Sequence, residues 1–255
     1  EQVRNTLASA HSRNLNVLLD YVGNHVHEEH PVYRSKPQWF NSLYLPDSSL
    51  NTEKWDEYRL TTWFDTFLPD VNTENPEAVA ALTDSALVWV RDYGFDGYRH
   101  DATKHVANLY WRTLTQKLKH QVAAPRNQRL YQIGETYGSP DLIASYLGSG
   151  LMDAQFDFNL YDAALGFCAN LNTDAPRLKE VLESSLAAYG HHHLMGNISG
   201  NQDKPRFISL ASGDVRLDED TKAAGYTRKI GTPAASAYKK LAFMHAFNFT
   251  VPGVP

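Results

Sequence analysis

Apolar residues along the chain follow two different spacings, which alternate from one end to the other. Short apolar runs of strand length are separated by longer segments in which apolar residues recur every three or four positions. The short runs predict strands at 16–22, 95–99, 129–133, 151–157, 194–198 and from Phe249 onward. The longer segments predict helices at 1–13, 75–94, near 106–121, 139–148, 175–189 and 234–246. Strands separated by helices indicate a parallel sheet with crossover helices.

Two of these helices carry clear start signals. Asn75 precedes Pro76, which places an N-cap before a proline at the first helical position, and Gly94 is suited to end the same helix. Ser139 and Pro140 form a second start of this kind. From about 199 to 232 the chain is polar and is predicted to be a long loop.

The number of predicted strands bears on the architecture. Six strands separated by helices fit an α/β fold of the (β/α)8 TIM barrel type, which has eight strands when complete. We therefore expect an incomplete barrel with about two strands missing upstream. Residues 24–74 show no clear period and hold many Pro, Asn, Asp and aromatic residues. Such a length exceeds an ordinary connection, so we predict a barrel portion at 1–23 and 75–255 and a small inserted domain at 24–74.

Composition narrows the classes of partner. The 255 residues carry a net charge of -5 and have no long basic run, so nucleic acid is not an expected partner. No apolar segment approaches 18 residues, so no membrane span is predicted. Cys168 is the single cysteine, which excludes an internal disulfide. The chain opens inside a helix pattern without a signal peptide and ends on an apolar stretch, so we expect a longer mature protein.

Acidic residues follow several of the predicted strands. Asp20, Asp101 and Glu135 each follow a strand directly, and Asp203 follows another after a short loop. In a parallel barrel the carboxyl ends of all strands meet at one mouth. Several carboxylates in one pocket are what glycosidic bond cleavage requires.

The segments around these acids carry a family resemblance. Residues 20–25 read DYVGNH, residues 97–105 read GYRHDATKH, residues 134–135 read GE, and residues 201–203 read NQD. In this order they resemble the four signature segments of the α-amylase superfamily, glycoside hydrolase family 13, and LPDVN at 68–72 resembles its fifth. The resemblance covers nearly the whole chain. It implies barrel strands three to about eight, with a loop domain inserted after strand three.

The resemblance implies a role for each acid. Asp101 matches the nucleophile, Glu135 the general acid/base, and Asp203 the third carboxylate that stabilises an oxocarbenium-like transition state. The implied activity is retaining hydrolysis of α-1,4-linked glucans such as starch and maltooligosaccharides, through a glycosyl-enzyme intermediate. Arg99, on the same strand face as Asp101, is expected to hold that carboxylate ionised. Glu135 must arrive protonated, so its surroundings are expected to raise its pKa.

Further positions match residues that contact the sugar. His25 matches a residue that hydrogen-bonds the sugar in the cleavage subsite, and Lys104 and His105 resemble segments on the leaving-group side. Asp20 is expected to be a structural partner of Arg99. The fourth segment departs from the family, which has a histidine where this chain has Gln202. An amide can donate a hydrogen bond but carries no charge, so we expect weaker transition-state binding or altered specificity.

A calcium ion is the one cofactor that the resemblance implies. Asn24, Asp70 and the backbone carbonyl of His105 match the shared calcium site of the family. Oxygen ligands of these kinds suit a hard cation. Such an ion would tie the insert to the barrel and serve a structural purpose.

Two other features of the sequence invite a functional interpretation. The insert is rich in aromatic residues, of which Trp63 and Phe64 are the candidates for a sugar-binding groove. The run 191–193 is three histidines, but it lies between a helix and a strand, on the barrel face opposite the carboxylates, where we expect no metal site.

Alternative functions remain open from the sequence. A transglycosylase of the same superfamily would use the same residues, and product analysis would separate it from a hydrolase. A non-catalytic glucan-binding relative would be expected to have lost carboxylates, whereas all three are present. A metallohydrolase would bind its metal through histidines at a recognisable spacing. The candidate histidines lack such a spacing; they are His25, His27, His30, His100 and His105. The family resemblance implies an extracellular or periplasmic location, and the sequence leaves the oligomeric state open.

Overall fold

The computed structural model describes residues 1–231 and 234–255. These residues form two compact units, each with its own core. The first unit holds Glu1–Thr136 and Tyr146–Gln155, and the second holds Tyr137–Ser145 and Phe156–Pro255.

A four-stranded parallel sheet forms the centre of the first unit. Its strands lie in chain order and are β1 (Leu18–Tyr21), β2 (Gly97–His100), β3 (Tyr131–Gly134) and β4 (Ala154–Gln155). In the register, Asp20 pairs with Arg99 and His100 pairs with Gly134. The carboxyl ends of the strands therefore meet at one edge of the sheet, where Asp101 follows β2 and Glu135 follows β3.

The first unit contains the three helices that the sequence predicts and two short ones that it does not, the second and the fifth along the chain. They are α1 (Gln2–His11), α2 (Pro31–Ser35), α3 (Pro76–Val88), α4 (Asn108–Leu118) and α5 (Ala124–Arg126). The predicted start of α3 is confirmed, because the Asn75 side chain accepts hydrogen bonds from the backbone of Glu77 and Ala78. A π-helical turn at Trp89–Tyr93 extends α3, and Gly94 ends it with a φ of 93°, which glycine adopts without strain.

The segment 24–74 is held together by short backbone pairs. It contains α2, a 3₁₀ turn at Pro37–Trp39, and antiparallel pairs that include His25 with Asp70. Trp63 is 3% exposed, and its indole N–H donates to the Asn41 carbonyl at 3.0 Å. The prediction that Trp63 lines a sugar-binding groove is therefore wrong, because its ring belongs to the core of this segment.

The second unit is helical around one apolar core. Its helices are α6 (Pro140–Ala144), α7 (Phe158–Cys168), α8 (Ala175–Tyr189), α9 (Phe207–Ser212), α10 (Thr221–Thr227) and α11 (Ala235–Thr250). Ser139 caps α6, and α8 has the predicted bounds. The predicted loop from 199 to about 232 instead contains α9 and α10; its last position, 232, lies outside the described residues.

Two predicted strands are not formed among the described residues. At 194–198 only Gly196 pairs, through isolated parallel bridges with Phe156 and Val254. Pro252 and Gly253 precede Val254 in the second bridge, and neither supports a longer ladder. The strand predicted from Phe249 is also wrong, because α11 continues to Thr250 and stops before Pro252, which cannot extend a helix.

The sequence predicts no helix at 158–168, where the structure forms α7. Asp157 caps it by accepting a hydrogen bond from the Leu160 backbone at 3.0 Å. Most of its residues are buried, so the helix lacks the polar face that would reveal its period. Within residues 1–231 and 234–255, no helix combines the length and apolar character needed to cross a membrane.

Candidate active site

The ends of β2 and β3 place two predicted catalytic residues side by side. The Asp101 backbone N–H donates to the Tyr21 carbonyl at 3.1 Å, so it continues the pairing of β2 with β1. The Glu135 N–H donates to the His100 carbonyl at 2.9 Å and continues the pairing of β3 with β2. Both side chains therefore leave the same edge of the sheet.

Arg99 joins these side chains through its guanidinium. One terminal nitrogen lies 2.5 Å from Asp101 Oδ1 and 2.7 Å from Asp20 Oδ1. The other nitrogen contacts Glu135 Oε2. The structure therefore brings together three carboxylates from three strand ends. It also places Asp20 against Arg99, as predicted.

The cluster holds more acidic groups than basic ones, and three of its four side chains are largely shielded from solvent. The side chains of Arg99, Asp101 and Glu135 are 15%, 22% and 16% exposed, whereas that of Asp20 is 65% exposed. Burial alone would lower the pKa of Arg99, but Glu135, Asp20 and Asp101 outweigh it and raise that pKa. One permanent cation thus faces three acidic groups. An excess of negative charge suits a site that stabilises a developing oxocarbenium ion.

His25 lies close enough to this cluster for Asp101 to affect its pKa. Its pKa is lowered, because burial disfavours the imidazolium more strongly than Asp101 favours it. The imidazole packs against the Phe64 ring, with centroids 5.0 Å apart. A neutral imidazole can exchange hydrogen bonds with a sugar hydroxyl without forming an ion pair.

Lys104 and His105 connect the end of β2 to the insert. Lys104 Nζ lies 2.9 Å from Asp56, whose side chain is 91% exposed. His105 is buried and its Nδ1 lies 2.8 Å from the Arg59 carbonyl. A carbonyl only accepts, so Nδ1 carries the proton, and burial lowers the His105 pKa to about 4 despite this bond. His105 is therefore a neutral imidazole that holds the insert.

Arg59 was not singled out in the sequence, although it fixes the same region. Its guanidinium donates to the Lys104 carbonyl at 2.7 Å and to the Tyr146 hydroxyl at 3.0 Å. No local motif marks this arginine, because its partners lie 45 and 87 positions away. Together with His105, it binds residues 54–62 to the segment that follows β2.

Aromatic rings continue from His25 into the insert. Phe64 contacts His25, His105 and Trp55, with centroid distances of 5.0, 5.1 and 4.7 Å. Phe64 and Trp55 are half-buried, so part of each ring faces solvent. Phe64 thus remains a candidate for contact with a sugar.

The predicted calcium ligands Asn24 and Asp70 are both buried at the base of the insert. They are 0% and 1% exposed, and among the described residues neither Oδ1 atom has a hydrogen-bond partner. Burial raises the pKa of Asp70 well above its usual range. A buried carboxylate and an unpaired amide oxygen are costly unless a cation binds them. The donor set therefore fits a calcium ion.

The histidines do not form a metal centre among the described residues. His100 is buried, its Nε2 lies 3.0 Å from Gln132 Oε1, and burial lowers its pKa to about 4. His191 and His192 are exposed. In the part of the chain that the structure describes, no group of three or more His, Cys, Asp or Glu side chains could hold a metal.

Asp203 and Gln202 belong to a loop of the second unit. The Asp203 backbone N–H donates to Asn201 Oδ1 at 3.1 Å, and Gln202 Nε2 lies 3.2 Å from Asp203 Oδ2. Lys204 Nζ lies 4.0 Å from the centroid of the Tyr137 ring. Within its own unit, Asp203 is therefore exposed, with its backbone held by Asn201 and its carboxylate contacted by Gln202.

Comparison with known proteins identifies the family. A family model described as "Alpha amylase, catalytic domain" matches residues 1–232. A cyclomaltodextrinase from Geobacillus thermopakistaniensis is 27% identical over 85% of this chain and 37% of its own length. An intracellular maltogenic amylase from Bacillus subtilis is 22% identical over 85% of this chain and 36% of its own length.

Solved structures agree with this match. An Anoxybacillus α-amylase superposes with a TM-score of 0.77 at 26% identity, over 99% of this chain and 50% of that one. An α-amylase of Geobacillus thermoleovorans, solved in complex with acarbose, gives a TM-score of 0.77 at 26% identity, over 99% and 51% of the two chains. The fold is thus that of an α-amylase catalytic domain, a family of (β/α)8 barrels. The chain spans between about a third and a half of the length of these relatives.

Proposed function

Because this chain belongs to the family of α-amylase catalytic domains, we propose that it is part of a retaining glycoside hydrolase that cleaves α-1,4-linked glucans. The observation that supports this proposal is the Arg99 guanidinium, which contacts Asp101 and Glu135 at the ends of adjacent strands. The chain contributes about strands three to eight of the barrel, with 24–74 as an inserted domain.

The proposed reaction has two steps. In the first, Asp101 attacks the anomeric carbon, the glycosidic bond breaks, and Glu135 gives its proton to the leaving oxygen. In the second, Glu135 takes a proton from water, and the resulting hydroxide replaces Asp101 on the anomeric carbon. Both carboxyl groups return to their initial states, and the anomeric configuration is retained.

Arg99 has two tasks in this mechanism. Its contact at 2.5 Å orients Asp101, which acts as the nucleophile. Its contact with Glu135 is a charge-assisted hydrogen bond when that carboxyl group is ionised. Glu135 must be protonated for the first step, so a bound glucan has to weaken the contact of Arg99 with Glu135 before cleavage.

The remaining polar residues bind the sugar. His25 donates to a hydroxyl in the cleavage subsite as a neutral imidazole, and Asp203 supplies the third carboxylate. Gln202 takes the place of the family histidine beside Asp203. Lys104 borders the leaving-group side, whereas the buried His105 side chain, also expected there, holds the insert instead. Each of these sugar-binding roles comes from the family resemblance.

A calcium ion, when bound, would contribute structure and not chemistry. Asn24 and Asp70 would hold it through their unpartnered side-chain oxygens, together with the His105 carbonyl. It would fix the insert beside the residues that contact the sugar.

A second candidate is a transglycosylase, in which a sugar hydroxyl takes the place of water in the second step. The relatives include cyclomaltodextrinases and a maltogenic amylase, so short and cyclic α-glucans belong among the substrates to be tested. The two activities differ in their products. Hydrolysis releases one reducing end per event, whereas transfer conserves the number of reducing ends.

The experiment measures reducing-sugar release from starch, maltooligosaccharides and cyclomaltodextrin by the full-length gene product. The Asp101→Asn variant should lose at least about 10³-fold in kcat, because the nucleophile is gone. Asp84→Asn is the matched control, since Asp84 is exposed and pairs with Lys117 on a helix surface. Retention is checked from the anomer first released. Unchanged activity in Asp101→Asn, or an inverted product, would refute the proposal.

A further inference from the structure

Thr103 lies between the backbones of the two strand ends that carry the proposed catalytic carboxylates. It is fully buried. Its N–H donates to the Glu135 carbonyl at 2.9 Å, and its hydroxyl oxygen accepts from the Glu135 N–H at 3.0 Å. The same hydroxyl donates to the His100 carbonyl at 3.2 Å. Glu135 is thus held from both of its backbone polar groups by one residue.

Asp101 is tied to Thr103 through the chain. Only Ala102 separates them, and it adopts a left-handed conformation with a φ of 49°. This turn brings Thr103 back toward β3, and the His105 N–H closes it by donating to the Ala102 carbonyl at 2.9 Å. A left-handed turn at a residue with a Cβ is strained and persists only where its surroundings hold it. The bonds from Thr103 to Glu135 supply such a hold.

Packing leaves the Thr103 hydroxyl little room to move. A Cβ added at Gly134 would lie 2.6 Å from Thr103 Oγ1, 2.7 Å from Met152 Sδ and 2.2 Å from Gln155 Nε2. These side chains therefore press directly on the glycine that precedes Glu135. The hydroxyl is enclosed by the β3 backbone and by buried side chains, so its position is defined by packing as well as by hydrogen bonds.

We propose that Thr103 is a positioning residue that sets the spacing between the Asp101 and Glu135 carboxyl groups. Arg99 orients the two side chains, whereas Thr103 holds the two backbones from which they extend. Attack by one carboxyl group and proton transfer by the other require a defined gap between them, so a small shift of either backbone slows the reaction. This inference rests on the proposed glycosidase function.

The test removes the hydroxyl while keeping the shape of the side chain. In the full-length gene product, Thr103→Val should lower kcat about tenfold and leave KM within about twofold. The alkaline limb of the pH profile of kcat should also move, since Glu135 must be protonated for cleavage and loses a bond that orients it. Thr103→Ser should restore most of kcat. The control is Thr83→Val, because Thr83 is equally buried but bonds the Val79 carbonyl within α3.

Each outcome bears on one of the two proposals. A kcat in Thr103→Val equal to that of the parent, or a loss matched by Thr83→Val with an unmoved pH profile, would overturn the positioning role alone. If Thr103→Val does not fold, Thr103→Ser and Thr103→Ala provide the comparison: a kcat about tenfold higher for Ser supports the role, and equal values overturn it. A parent protein without glycosidase activity would instead overturn the proposed function, and the positioning role with it.

Discussion

The Arg99 guanidinium lies 2.5 Å from Asp101 Oδ1, only two residues further along the chain. Residues separated by two positions on a strand share a face, so β2 itself directs both groups to the same place. The arginine also reaches Glu135 on the neighbouring strand end. One side chain thereby orients two acidic groups that lie 34 positions apart in the sequence.

Replacing Arg99 by lysine should reduce activity strongly although the charge is kept. A guanidinium presents separate nitrogens to Asp101 and Glu135, whereas an ammonium is a point charge that cannot reproduce this fork. We expect kcat/KM to fall at least about 100-fold. The measurement is steady-state kinetics on maltooligosaccharides, with exposed Arg177→Lys as the control. Activity within about threefold of the parent would show that the fork is unimportant.

Local signals were sufficient to predict several elements. Asn75 with Pro76, and Ser139 with Pro140, marked helix starts that the structure confirms. The elements that the sequence predicts wrongly, or does not predict, are those whose structure depends on tertiary contacts. Gly196 pairs through single bridges instead of a strand, and α7 is apolar over most of its surface, so neither pattern had a clear period.

The residues of the candidate site also fall into those that a local motif predicts and those that it does not. Asp101, Glu135 and Arg99 could be predicted because each lies within a short motif at a strand end. Thr103 and Arg59 act through partners 32 to 87 positions away, so nothing in the neighbouring sequence reveals them. Side-chain contacts of this kind depend on the register of the sheet and on the path of the insert.

Calcium should stabilise the protein through Asp70. Its Oδ1 atom is buried and unpartnered in the described structure, so a bound cation would relieve the cost of burying the carboxylate. We expect saturating calcium to raise Tm by about 5 °C over the chelated protein. Asp70→Asn should lose this response. Asp65→Asn, at an exposed position of the same insert, should retain it.

The ligand assignment would be contradicted by an unchanged Tm on adding calcium. It would equally be contradicted by a calcium response that survives in Asp70→Asn. Differential scanning fluorimetry on the full-length gene product, with magnesium as the comparison ion, makes both measurements. Magnesium prefers a smaller octahedral site and should have less effect.

Without calcium, Asp70 should make the protein less stable as pH rises. Burial raises the pKa of its carboxyl group in the folded state, so the folded protein keeps this proton after the unfolded chain has lost it. The free energy of unfolding therefore falls as pH increases from about 4, the ordinary pKa of Asp, up to the raised value. Urea unfolding at several pH values, compared between wild type and Asp70→Asn, isolates this contribution. Parallel curves for the two proteins would count against it.

Restoring the family histidine at Gln202 should improve catalysis. Gln202 Nε2 lies 3.2 Å from Asp203 Oδ2, and an amide contributes only a neutral donor. A histidinium forms a charge-assisted hydrogen bond to the Asp203 carboxylate, which is stronger than the bond from an amide and orients that carboxylate better. We expect Gln202→His to raise kcat/KM on maltooligosaccharides about three- to tenfold, with the larger gain at lower pH. An unchanged rate across the pH range would show that the amide is already adequate.

Arg59 should contribute more to the stability of the insert than the ion pair between Lys104 and Asp56 does. Its guanidinium donates to the Lys104 carbonyl and to the buried Tyr146 hydroxyl, which itself donates to that carbonyl at 3.3 Å, so Arg59→Lys removes the planar group that holds both. The expected loss of stability is about 1–2 kcal/mol. Asp56→Asn should cost clearly less stability than Arg59→Lys, because Asp56 is 91% exposed and solvent screens its pair.

Arg59→Lys and Asp56→Asn should also differ in their effect on KM. Arg59 and His105 hold the part of the insert that carries Trp55 and Phe64, and Phe64 packs on His25. Loosening this connection displaces the groups proposed to contact the sugar while leaving Asp101 and Glu135 in place. We therefore expect Arg59→Lys to raise KM for maltooligosaccharides about threefold or more with kcat nearly unchanged. A larger effect of Asp56→Asn than of Arg59→Lys, on either stability or KM, would reverse this ranking and identify the exposed ion pair as the tie between insert and sheet.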